Sequence, residues 1–180
     1  MPCNCGKKNI GHYTEDQSTD PLKWGPILWK YLHSLAEHVG FSGNSIVDTD
    51  QANYMETIIS TLHLIIPCKE CQTHTAEYIN YNPLPSLKGL QGEPLRRTVR
   101  NWLFYFHNNV RSMKQQPSML YTPEECIAMY GGMVISKNDY QFFIQSVAFA
   151  IRQGWVRVND WRKWYSNSER LRLITGNIVV

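Results

Sequence analysis

At 180 residues the chain has the length of one domain, or of one domain with an appendage, and can bury a sizeable core without help from disulfides. Its net charge of +3 is too small to imply a nucleic-acid partner. No apolar run reaches the length of a membrane span and no charged-then-apolar leader opens the chain, so it is expected to be soluble, without a signal peptide.

Residues 1–19 are polar, lack an apolar period and read as a flexible arm carrying Cys3-Asn4-Cys5. Asp20 can cap a helix whose first position suits Pro21. Trp24, Ile27, Leu28, Tyr31, Leu32 and Leu35 give that helix its apolar face, and Gly40 ends it. Asp48 or Asp50 is the expected cap of a second helix running to about Ile66. A third helix is expected from Cys68 to about Tyr81, with Pro67 as its start and Asn82-Pro83-Leu84-Pro85 as its stop. A fourth runs from about Pro94 to Gln115 before Pro117. A short fifth lies between Thr122-Pro123-Glu124-Glu125 and Gly131-Gly132. Beyond it, Ile144, Val147, Ala148, Ile151 and Trp155 share a helical face, and a shorter segment carries Trp161, Trp164 and Tyr165. With no useful strand alternation, the chain reads as all-α: a four-helix bundle with a short fifth helix over 20–132, and a helical extension over 133–180.

Five cysteines form no even disulfide framework. Cys68-Lys69-Glu70-Cys71 is the motif with most chemistry. A cysteine at a helix N-terminus meets the positive end of the helix dipole, which favours the thiolate that exchanges disulfides. Two other readings stand beside redox work: zinc held by Cys68, Cys71, His74 and Cys3 or Cys5, or a pair of inert thiols. Cys3 and Cys5 could close a small, strained and therefore labile disulfide that shuttles electrons to Cys68–Cys71. The alternative is a metal-chelating or incidental terminus. Cys126 has no evident partner and suits a buried structural thiol.

Gly25, Trp29 and His33 fall at i, i+4 and i+8 on the first helix. A helical glycine costs about 1 kcal/mol relative to alanine, which makes sense where something approaches the backbone closely. The three could wall a slot for a planar, partly polar cofactor, or be ordinary packing residues. On the fourth helix His107, Arg111 and Lys114 share a face, near Trp102, Phe106, Asn108 and Val110. Such a stripe suits phosphate groups, or is simply a solvated cationic face.

Trp24-Gly25-Pro26-Ile27-Leu28-Trp29, followed by Leu32-His33 and Ala36, resembles the WG(P)xxW…LHxxA signature of Erv/ALR sulfhydryl oxidases. Cys68–Cys71 resembles their redox CxxC. His107-Asn108-Asn109-Val110, with Trp102 before it, resembles their HNxV segment. The motifs match in order over roughly residues 20–131, and the short form with extra terminal segments looks most like members carried by large DNA viruses. The resemblance implies a helical bundle binding FAD non-covalently and, commonly, a homodimer. It implies oxidation of client protein dithiols by oxygen, with hydrogen peroxide as product. Cys71 is then the flavin-proximal thiol and Cys68 the exchanging one. The implied cofactor contacts are Trp24, Gly25, Trp29, His33, Trp102, His107, Asn108, Val110 and Tyr130. Arg111 stands where the family has a second Asn and Gln116 where it has Lys, so Arg111 and Lys114 are the candidates for charge near the phosphates. A family disulfide is replaced by Phe104 and Tyr121.

The resemblance does not reach residues 133–180, which hold seven Lys and Arg against three Asp and Glu, a net +4, whereas residues 1–132 hold 11 against 12. Trp155, Trp161 and Trp164 among Arg152, Arg157, Arg162 and Lys163 suit docking of an acidic protein or a virion component. The other reading is packing against the bundle. Host cytoplasm or virion is the expected location if the chain is viral.

Overall fold

In the computed structural model the described residues are 19–114, 122–176 and 178–180. Cys3, Cys5, Gln116, Pro117 and Tyr121 lie outside them. Asp20 begins α1 (Pro21–His38), its Oδ1 accepting from the Leu22 N–H at 2.9 Å. The second helix, α2 (Ser45–Ser60), is capped by Asn44 instead of Asp48 or Asp50: the Asn44 side chain accepts from the amides of Ile46 and Val47. Asp48 is buried and turned outward from its own helix. Its carboxylate accepts from Ser42 Oγ at 2.6 Å and from the Gly92 N–H at 2.8 Å, which ties α2 to the start of α4 (Gly92–Met113).

The second helix also stops earlier than its periodicity suggests. The Thr61 hydroxyl donates back to Thr57 O at 2.6 Å, and the chain tightens into a 3-10 turn at Leu62–Leu64. Pro67 disfavours helical geometry at Ile66. Pro67 itself precedes the cap of α3 (Lys69–Tyr81) instead of filling its first turn, because Cys68 takes the cap position.

The remaining helices are α5 (Glu125–Tyr130), α6 (Lys137–Arg152) and α7 (Val158–Ile174). No β-strand forms among the described residues, apart from one parallel bridge between Ile135 and Val179. On α6 the innermost side chains are Tyr140, Phe143, Ser146, Val147 and Ala150. The predicted face of Ile144, Ala148 and Ile151 is only half-buried, and Trp155 lies past the helix end. The helix is rotated so that Tyr140 stacks on Tyr31 of α1.

One apolar core joins all the larger helices. Helix α1 packs on α4, α5 and α6, and α7 lies along α2. Trp164 of α7 is fully buried and donates its indole N–H to Ile58 O of α2 at 3.1 Å. A buried ion pair clamps α1 to α4: the Arg100 guanidinium donates to both Glu37 oxygens, at 2.7 and 2.8 Å. Phe104 packs with Cys126 and Tyr130 in a small separate cluster.

Candidate active site

Cys68 and Cys71 are joined by a disulfide, with Cα atoms 5.2 Å apart. Cys68 is in extended geometry, and its sulfur accepts from the Cys71 N–H at 3.2 Å, so a redox atom takes the place of a cap oxygen at the start of α3. The positive end of the helix therefore lies at the sulfur that would become a thiolate on reduction. The Gln72 side chain donates to Ile66 O at 2.9 Å and to Trp155 O at 3.0 Å, which pins the segment entering the motif to the link between α6 and α7.

Both cysteines line a cavity of about 230 Å³. Its walls are mostly apolar: Trp24, Leu28, Trp29 and Leu32 of α1, Leu62 and Ile66 before the motif, and Phe106 and Val110 of α4. Glu70, His74, Thr75 and Lys114 add polar groups. Gly25 also lines it, and a Cβ built there meets no atom within 4 Å, so the glycine leaves open space directly over the helix backbone. Among the described residues no group of three or more His, Cys, Asp and Glu could hold a metal ion, and His74 stands in the cavity wall.

Beside the cavity lies a set of stacked rings. Trp29 stacks on His107 with centroids 4.1 Å apart and planes 7° off parallel, and His33 stacks on Tyr130 at 4.4 Å and 8°. His33 Nε2 and His107 Nδ1 are 3.2 Å apart and share a hydrogen bond, one ring donating and the other accepting. Burial, with the neighbouring His107 adding to it, pushes His33 down to about 3. Burial and the nearby Arg111 charge push His107 down to about 4. Both rings are therefore neutral near pH 7. His33 Nδ1 is buried without a partner, an acceptor or donor left for something else.

The residues expected at the site thus divide. Cys68, Cys71, Trp24, Gly25, Trp29, Val110 and Lys114 face one cavity. His33, His107 and Tyr130 form the adjoining ring stack. Trp102 stands behind it, packed on Tyr78 and Phe106 and donating its indole N–H to Asn82 O at 2.8 Å. Asn108 and Arg111 are half-buried and do not line the cavity. Leu28, Leu32, Leu62, Ile66, Thr75 and Phe106 also line the cavity, although sequence reasoning took them as packing or neighbouring positions, or passed over them, and named none as a site residue. Leu32 follows Leu28 by four and Phe106 precedes Val110 by four, the signal that could have found them. Cys126 is fully buried and burial pushes its thiol up to about 12, which makes it inert.

Fold and site are those of an all-α protein with a dithiol–disulfide pair set against an aromatic cavity. The Erv1 / Alr family model matches residues 26–127, and the chain belongs to this family. It is 29% identical over 102 residues to "Putative FAD-linked sulfhydryl oxidase 096R" of Invertebrate iridescent virus 3, a match covering 57% of this chain and 63% of that one. It is 25% identical over 136 residues to "Putative FAD-linked sulfhydryl oxidase 088R" of Frog virus 3 (isolate Goorha), covering 72% of this chain and 84% of that one. The chain therefore spans slightly less than two thirds of the first of these relatives. No solved structure matches. Among the described residues no helix is long and apolar enough to cross a membrane.

Proposed function

We propose that the chain is an FAD-linked sulfhydryl oxidase that makes disulfides in client proteins. The observation that carries this reading is the Cys68–Cys71 disulfide in the wall of an aromatic cavity that Gly25 keeps open. A flat, largely apolar ring system fits that cavity, and the unpartnered His33 Nδ1 offers a polar contact beside it. Trp24, Gly25, Trp29, Val110 and Lys114 would hold the group, with His33, His107, Tyr130, Trp102, Asn108 and Arg111 around it. Bound FAD supplies a two-electron acceptor, with oxygen as final oxidant and hydrogen peroxide as product.

The chain's own chemistry is thiol–disulfide exchange. A client thiolate attacks Cys68 Sγ, forming a client–Cys68 bond and breaking Cys68–Cys71. Cys71 leaves as a thiolate, and the Cys71 N–H at the start of α3 is placed to stabilise the Cys68 thiolate released in the next step. The second client thiol then attacks the client sulfur, releasing oxidised client and the Cys68 thiolate. Two thiol protons go to solvent. The client loses two electrons and the Cys68–Cys71 pair gains them. Cys3–Cys5, outside the described residues, would pass electrons from client to Cys68 by the same exchange. A homodimer, a viral source and a location in host cytoplasm or virion belong to the same reading.

A visible absorbance spectrum with oxygen-electrode traces tests it. The purified chain is expected to be yellow and to consume oxygen with dithiothreitol. Cys71→Ser should keep the colour and lose the turnover. A folded, colourless chain that FAD cannot reconstitute would overturn the proposal.

A further inference from the structure

A second cavity lies on the other side of α3. It is about 260 Å³, open to solvent, and runs between His63 of the 3-10 turn, Gln72, Thr73 and Ala76 of α3, and Trp155 and Arg157 of the link between α6 and α7. The two cavities use different faces of one helix. Cys71, His74 and Thr75 face the aromatic cavity, while Gln72, Thr73 and Ala76 face the groove. Cys68 precedes Gln72 and Ala76 by four and eight positions and so heads the ridge that floors the groove. Cys68 itself lines the aromatic cavity and not the groove, so the ridge leads from the groove floor towards it. From Cys68 to Ala76 the ridge is about 12 Å long, at about 1.5 Å per residue. That is the reach of about four residues of extended chain.

The groove's outer wall comes from residues beyond the family match, which ends at 127. Two cations stand at the groove: Arg157 in its lining, and Lys69, whose Nζ is held 5.8 Å over the ring of the lining residue Trp155. Arg152, Arg162 and Lys163 are exposed on the same extension but do not line the groove. The carboxylate lining the groove, Asp160, is already paired with Arg157 at 2.6 Å, and the Arg157 side chain stays 78% exposed. Trp164 does not contribute to this surface, since it is core.

We propose that this groove docks an extended segment of the reduced client protein that carries Asp or Glu within about four residues of its cysteine, presenting that thiol to Cys68 Sγ. The proposal rests on the sulfhydryl-oxidase reading and names its substrate class.

The test uses the full chain and three dithiol peptides of one sequence, with acidic, neutral or basic residues flanking the cysteines, and dithiothreitol as reference. KM for the acidic peptide is expected about tenfold below that of the basic one, with kcat unchanged and the difference closing near 1 M salt, where screening is nearly complete. Arg157→Glu should erase the preference and leave dithiothreitol oxidation unchanged. Anisotropy of a labelled acidic peptide with Ser for Cys reads docking without turnover, and should give the same order. Equal affinities for the three peptides would overturn the proposal. So would an Arg157→Glu effect shared by peptides and dithiothreitol, or a change of oligomeric state in that variant, which would make the groove a contact between copies. If dithiothreitol itself is not oxidised, the oxidase reading fails, and the anisotropy order still decides the groove.

Discussion

The space over Gly25 separates stability from cofactor binding at one residue. A Cβ there meets nothing, so Gly25→Ala removes a helix penalty of about 1 kcal/mol and should raise the melting temperature of the FAD-free chain. Gly25→Leu should also fold, because its side chain enters the cavity, but purify without visible flavin absorbance. The two buried histidines make a pH prediction. Both folded values lie below the ordinary 6.5, at about 3 and about 4, so the unfolded chain binds more protons between those values and 6.5. Stability conferred by the neutral pair is therefore complete above about pH 6.5 and lost as pH falls, down to about 4 for His107 and about 3 for His33. Each histidine contributes a slope of about 1.4 kcal/mol per pH unit within its window. Urea unfolding of the FAD-free chain at pH 7 and pH 5 checks it, and equal midpoints would refute it. Gly25 and Trp29 were legible because one helix carries both, four residues apart. The stacking of His107 on Trp29 was not, because it depends on which ridges of α1 and α4 meet.

At the scale of elements, the α1–α4 contact is set by charge as much as by shape. Glu37 and Arg100 are 2% and 3% exposed and bonded through both carboxylate oxygens. Removing one partner leaves the other charge buried alone, so Arg100→Ala should cost about 3–5 kcal/mol in urea unfolding. Glu37→Met with Arg100→Met should recover most of that loss, since an apolar pair of similar volume replaces both charges. This clamp was invisible in the sequence: 63 positions separate the two residues, and each alone reads as a surface charge. The same limit explains Asp48. As a helix starter it is as good as Asn44, and only the approach of Gly92 turns its carboxylate to another helix. The start of α3 was legible from Pro67, although Cys68 and not the proline takes the cap, which only the Cys71 N–H to Cys68 Sγ contact shows.

At the scale of the molecule, the extension beyond residue 132 shares the core of the bundle. Phe143, Val147, Trp164 and Leu171 are buried against α1 and α2 along with residues of those helices, and the Tyr31 hydroxyl donates to Ser168 O at 3.3 Å. The basic excess and tryptophans of this region drew attention as a surface, yet they divide by helical face: Trp164 inward, Arg162 and Lys163 outward. Sequence periodicity could not rank these faces, because α7 is amphipathic only relative to α2. Trp164→Ala should therefore cost about 3–5 kcal/mol, through the cavity it leaves and the Ile58 carbonyl it strands. A chain ending at residue 132 should lose near-ultraviolet circular dichroism and cooperative melting, since it bares the α1 and α2 faces now covered by α6 and α7. If that shorter chain melted cooperatively near the temperature of the full one, the shared core would not be needed for folding. The Gln72 bond to Trp155 O links this core to the redox motif, so damage to the extension should reach Cys68 before it reaches Gly25. Loss of peptide oxidation with flavin still bound is the expected first sign as Trp164 is trimmed to Phe, then Leu, then Ala.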